Sequence, residues 1–117
     1  MELPDALERD LADVVAQIAD LTAERDSIIA AAIDANLDDE HDPDGSTVAF
    51  ERARVAALLA AATARRAELE QAARRVADGT YGVCERCGRP IGAERAAALP
   101  ATTTCITCAL EAGLVSR

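Results

Sequence analysis

Cys84-Glu85-Arg86-Cys87, a spacer of seventeen residues, and Cys105-Ile106-Thr107-Cys108 hold all four cysteines of the chain. Two Cys-x-x-Cys knuckles at this separation offer four thiolates to one tetrahedral ion, and zinc is the metal that suits an all-sulfur shell. Such a shell leaves no position for water or substrate, so the metal builds structure and does not catalyse. A redox dithiol is expected once, near a βαβ pattern, and not twice at this spacing. Deaminase-type zinc needs a His-x-Glu pair, and the sole histidine, His41, lies far from the knuckles.

The rest of the chain is short of material for an ordinary core. Of 117 residues, one is Phe, one is Tyr and none is Trp, while Ala, the strongest helix former, makes up roughly a quarter. A close-packed globule uses larger side chains, so an extended helical object is expected. The net charge is −9, unevenly spread. Residues 1–45 carry fourteen acids against Arg9 and Arg25, whereas residues 46–78 carry four acids and six arginines. Duplex DNA demands clustered cations facing phosphates, which this balance does not supply, so direct sequence-specific DNA binding is not expected. No run of 18 apolar residues and no signal-like opening occurs, which predicts a cytoplasmic protein without a membrane anchor. Reducing surroundings also favour metal-bound thiols over disulfides.

Two heptad seams organise the first 78 residues. Leu7, Leu11, Val14, Ile18, Leu21, Arg25, Ile28 and Ala32 alternate spacings of four and three, as do Val48, Arg52, Val55, Leu59, Ala62, Arg66, Leu69, Ala73 and Val76. Pro4 suits the first turn of helix one, with Asp5 and Glu8 at the positive end of its dipole. Charge, proline and glycine meet in Asp38-Asp39-Glu40-His41-Asp42-Pro43-Asp44-Gly45, which predicts a turn. Helix two is expected to start near Ser46 or Thr47 and to stop at Asp78-Gly79. Two helices of similar length, each ~45 Å at 1.5 Å per residue, joined by a short turn, predict an antiparallel coiled-coil hairpin. The fold class is therefore mainly α: a hairpin over 1–78 with an acidic tip at 37–46, and a small four-cysteine zinc-ribbon-like module over 79–117. Gly82 and Gly88 mark tight turns beside the first knuckle, and Ala109 to Gly113 suit a short final helix.

The tip places Asp38, Asp39, Glu40, Asp42 and Asp44 within seven residues. Carboxylates so crowded repel one another unless a cation meets them. They are either a solvated turn or a probe for a magnesium ion or a basic protein surface. Arg86, Arg89 and Arg95 of the module either point to solvent or meet phosphate or an acidic surface. No nucleophile with its base, phosphate loop or paired acid and base is visible, so the chain is not expected to be an enzyme.

Together with the hairpin and tip, Asp78-Gly79-Thr80-Tyr81-Gly82-x-Cys84-x-x-Cys87-Gly88-x-Pro90-Ile91 and Cys105-x-x-Cys108 resemble the DksA/TraR family of bacterial transcription factors. The resemblance is specific over 78–108 and architectural over 5–77. It implies a structural zinc on Cys84, Cys87, Cys105 and Cys108, and a partner, RNA polymerase, entered through its secondary channel without contact to DNA. It also implies that tip acids act near the polymerase active centre to alter initiation. The family's Asp-x-x-Asp-x-Ala pattern fits in two ways. Aligned on Asp42 it meets Gly45 and Thr47, and aligned on Asp39 it gives Asp39-x-x-Asp42-x-Asp44. Asp42 and Asp44, then Asp39, are the candidate acting residues. Basic residues after the last cysteine help form the family's site for the alarmone ppGpp; here only Arg117 follows, which argues against alarmone dependence. Two rivals stay open. One is a Gre-like channel factor that stimulates transcript cleavage, although Gre factors carry no such metal site. The other is a zinc-stabilised scaffold or dimerisation module unrelated to polymerase.

Overall fold

The structure is a computed structural model and describes residues 2–38 and 45–113. Four helices follow one another: α1 (Asp5–Asp38), α2 (Gly45–Asp78), α3 (Ala93–Ala98) and α4 (Ile106–Glu111). Among the described residues the extended structure is one isolated antiparallel bridge, Val83 to Pro90. None of these helices is long and apolar enough to cross a membrane.

The chain divides into two compact units, Met1–Ala12 with Arg66–Arg117, and Asp13–Arg65. The start of α1 thus packs with the end of α2, so the two long helices run antiparallel. In the first unit Leu7, Leu69, Ala72 and Val76 are buried along the helices. In the second unit Val14, Leu21, Val55 and Ala62 are buried, with Ile18, Ile28, Val48 and Leu59 partly covered. These are the heptad positions, and the mainly helical hairpin expected from them is present.

The arginines in the seams depart from the pattern. Arg25, Arg52 and Arg66 are exposed, because a guanidinium loses more on desolvation than its stem gains by packing. Arg25 turns to Asp26 at 3.2 Å, and Arg66 to Glu70 at 3.7 Å. Ala72 is buried more completely than the expected Ala73. An ion pair joins the acidic and basic helices directly, Arg54 Nη2 to Glu24 Oε1 at 2.6 Å. Both side chains are more than two-fifths exposed, so it contributes about 0–1 kcal/mol at most.

Packing at Leu69 matters far more, since that side chain is fully buried. Leu69→Ala is expected to lower stability by about 2–5 kcal/mol, seen as an earlier urea midpoint. Leu58→Ala, at a 40% exposed site, is expected to change it by about 0.5 kcal/mol or less.

The helix ends differ in detail from expectation. Pro4 precedes α1, and its carbonyl accepts the Glu8 N–H at 3.0 Å, so it caps the helix and does not open its first turn. Helix α2 begins at Gly45, placing Ser46 and Thr47 inside its first turn and not at the cap. Residues 39–44, with Asp39, Asp42 and Asp44 of the expected tip, lie outside the described residues.

At the other end α2 stops as expected at Asp78. The Gly79 N–H donates to the Val76 carbonyl at 3.2 Å, and the Thr80 N–H to the Arg75 carbonyl at 2.9 Å. This is the paired-bond stop known as the Schellman motif, and it needs the left-handed φ of 79° at Gly79. An added Cβ there would meet nothing within 4 Å, so the cost of a side chain is purely conformational. Gly79→Ala is expected to cost about 1–2 kcal/mol, read by thermal unfolding, with Gly79→Asn costing less.

Candidate metal centre

The first knuckle is shaped by backbone bonds that the sequence between Gly82 and Ile91 permits. The Cys84 N–H donates to the Arg89 carbonyl at 2.8 Å, and the Gly88 N–H returns to the Cys84 carbonyl at 2.9 Å. Gly82 and Gly88 take φ of 85° and 76°, as expected for the tight turns. The Ile91 N–H donates to the Gly82 carbonyl at 2.8 Å and closes the loop across the Val83–Pro90 bridge.

The second knuckle is the start of a helix. Cys105 caps α4 with φ −72° and ψ 165°, and its carbonyl accepts the Ala109 N–H at 3.0 Å. Cys108 lies three residues on, so one helical turn carries both thiols. Helix α4 therefore starts three residues before the expected Ala109. The six-residue α3 in the spacer was not expected at all.

All four sulfurs lie within 4.8 Å of one another, and Cys87 Sγ is 3.8 Å from Cys105 Sγ. A Zn–S bond of about 2.3 Å in a tetrahedron requires sulfurs about 3.8 Å apart. The donor set fits one structural zinc ion, which Cys84, Cys87, Cys105 and Cys108 would hold. Cys84 and Cys108 are buried with Ile91, against Ala96 and Cys105, while Cys87 is exposed.

The thiols are not equivalent before metal enters. The backbone N–H of Cys105, with those of Cys87 and Arg86, brings Cys84 down to about 6 despite its burial. Cys105 is lowered chiefly by the backbone N–H of Cys108. Burial, and then the three other sulfurs, push Cys108 up to about 12. A coordinating thiol must be ionised, so loading releases protons and affinity falls as the pH falls.

Cross-links between segments surround the site. The Glu85 N–H donates to the Thr103 carbonyl at 2.9 Å, Arg86 Nη1 to the Cys108 carbonyl at 2.9 Å, and Arg95 Nε to the Thr104 carbonyl at 2.9 Å. Arg86 and Arg95, candidates for an external anion, are thus engaged inside the module, although Arg86, like Arg89, is exposed. Two further bonds hold the module, the first within it and the second from the end of α2. Tyr81 OH donates to the Pro100 carbonyl at 3.0 Å, and Arg75 Nη2 to the Ala101 carbonyl at 3.4 Å. Burial raises the Tyr81 phenol, partly offset by the Arg75 charge. Sequence reasoning missed these four side chains as cross-links, because their acceptors are backbone carbonyls 9 to 26 residues away.

Fold and site together define a class: a helical hairpin protein with a four-cysteine zinc module. Residues 79–112 match the family model of the prokaryotic dksA/traR C4-type zinc finger. The chain thus carries a zinc finger of the DksA/TraR family, as the residues around the knuckles led us to expect. It is 46% identical over 44 residues to an uncharacterized protein of Aquifex aeolicus, covering 38% of this chain and 30% of that one. To the RNA polymerase-binding transcription factor DksA of Caulobacter vibrioides it is 53% identical over 36 residues, 31% of this chain and 25% of that protein. To the uncharacterized protein YteA of Bacillus subtilis it is 36% identical over 66 residues, 56% of this chain and 28% of that one. These matches span less than a third of each relative's length. Among solved structures, the transcription factor DksA2 from Pseudomonas aeruginosa shares the fold, with a TM-score of 0.64 at 22% identity. That alignment covers 93% of this chain and 84% of DksA2.

Proposed function

We propose that this protein is a non-enzymatic regulator of transcription that binds RNA polymerase and reaches its active centre through the secondary channel. The observation that carries the reading is the dksA/traR-type finger at residues 79–112, attached to two long antiparallel helices. The fold shared with DksA2 supports it over most of the chain. The acidic charge of the chain supports a protein partner in place of DNA. In this reading residues 1–78 form the inserted arm, 79–117 form its base, and Asp39, Asp42 and Asp44 face a centre built on magnesium and basic side chains.

The test is equilibrium binding of the labelled, zinc-loaded protein to RNA polymerase from its own host, with a Gre-type factor as competitor. Micromolar or tighter binding that the competitor displaces is the expected result. Absence of binding would overturn the proposal and leave a scaffold role. Stimulated cleavage of a stalled transcript would move the assignment to a Gre-like activity.

A further inference from the structure

We propose that Arg86 and Arg95 are positioning residues for the zinc, holding the second knuckle in register with the first and so setting metal affinity. The two knuckles are separated by seventeen residues of chain, and an ion binding to unaligned knuckles would itself have to gather them. Two guanidinium groups do that gathering from opposite sides of the second knuckle. Arg86, inside the first knuckle, reaches 22 residues along the chain to the carbonyl of Cys108. Arg95, on α3, reaches the carbonyl of Thr104, the residue before Cys105. Thr104 is buried, and its carbonyl also accepts the Thr102 hydroxyl at 3.4 Å, so this end of the knuckle is held twice. Both ends of the Cys105–Cys108 turn are therefore fixed by side chains that bind no metal.

Charge adds to geometry. Four thiolates around a divalent ion leave a double negative charge, and two cations anchored beside it favour the loaded state over free thiols. Outer groups that orient metal ligands commonly change affinity by about 10–100-fold when removed. Arg89 lies in the same part of the module, carries the same charge and is exposed like Arg86, but its side chain does not clamp the second knuckle, which makes it the internal control.

The experiment is competition for zinc between the full chain and a chromophoric chelator, with cobalt(II) spectra recorded in parallel. Arg86→Gln and Arg95→Gln are expected to bind zinc about 10–100-fold more weakly, and Arg89→Gln with unchanged affinity. Arg86→Lys, which keeps a charge and a donor, is expected to recover most of the loss. The cobalt(II) d–d bands of a tetrahedral four-sulfur site are expected at the same energies in every variant, since the ligands stay the same. Glutamine variants as tight as Arg89→Gln would overturn the proposal. So would shifted cobalt bands, which would mean the ligand set had changed, or an Arg86→Lys protein no tighter than Arg86→Gln.

Discussion

Chelation of the zinc is expected to unfold the finger while leaving the second helical unit folded. The module has little else to hold it. Of its larger aliphatic side chains Ile91 is buried, while Val83, Leu99, Ile106 and Leu110 are between 46% and 60% exposed. Burying one such side chain contributes about 1.5–3 kcal/mol. Structural zinc supplies about 10–16 kcal/mol, which makes the metal the deciding term. Hydrogen exchange after treatment with a strong chelator checks this. The amides of Cys84, Glu85, Gly88 and Ile91 should lose protection, and those from Val14 to Leu21 and from Val55 to Ala62 should keep theirs. Cys108→Ser should reproduce the pattern without chelator. Equal protection of the four amides before and after chelation would show that packing alone holds the finger.

The second large effect concerns function. Under the proposed role, Asp42→Ala combined with Asp44→Ala is expected to abolish the effect of the protein on transcription while leaving its affinity for RNA polymerase close to that of the unaltered chain. Five carboxylates within seven residues carry a local charge that costs energy in isolation and is relieved by a cation. Removing two of them takes away that attraction without touching the seams or the finger. Promoter-specific transcription and equilibrium binding, measured on the same preparation, separate the two properties. A double variant with full transcriptional effect would reduce the segment to a solvated turn. A variant that no longer binds would place the acids in docking.

How far the fold could be read from the chain follows from which forces are local. Leu7, Val14, Leu21, Val55, Leu69 and Val76 were legible because a heptad period repeats every two turns and apolar residues gain by burial wherever they fall on it. Arg25, Arg52 and Arg66 occupied the same register and were misplaced, because period says nothing about the desolvation of a charge. The stop at Gly79 was legible since only glycine takes that conformation freely. Helix α3 was not, since Ala93–Ala98 has no periodic face and its buried neighbours are supplied by the metal site. The gathering of the four cysteines was legible from count and spacing. The clamps by Arg86 and Arg95 were not, because a carbonyl acceptor leaves no mark in the sequence.

The junction at Arg75 has a consequence for moving this finger elsewhere. The Arg75 carbonyl accepts the N–H groups of both Thr80 and Tyr81, and its side chain reaches Ala101. The portable unit therefore begins at residue 75 and not at the glycine. A chimera grafting 79–112 onto a foreign helix would lose the guanidinium contact, and the phase of the host helix would no longer dictate which way the finger faces. A single residue inserted between Val76 and Gly79 would turn the attachment point by about 100°. Length in this segment is as constrained as residue identity.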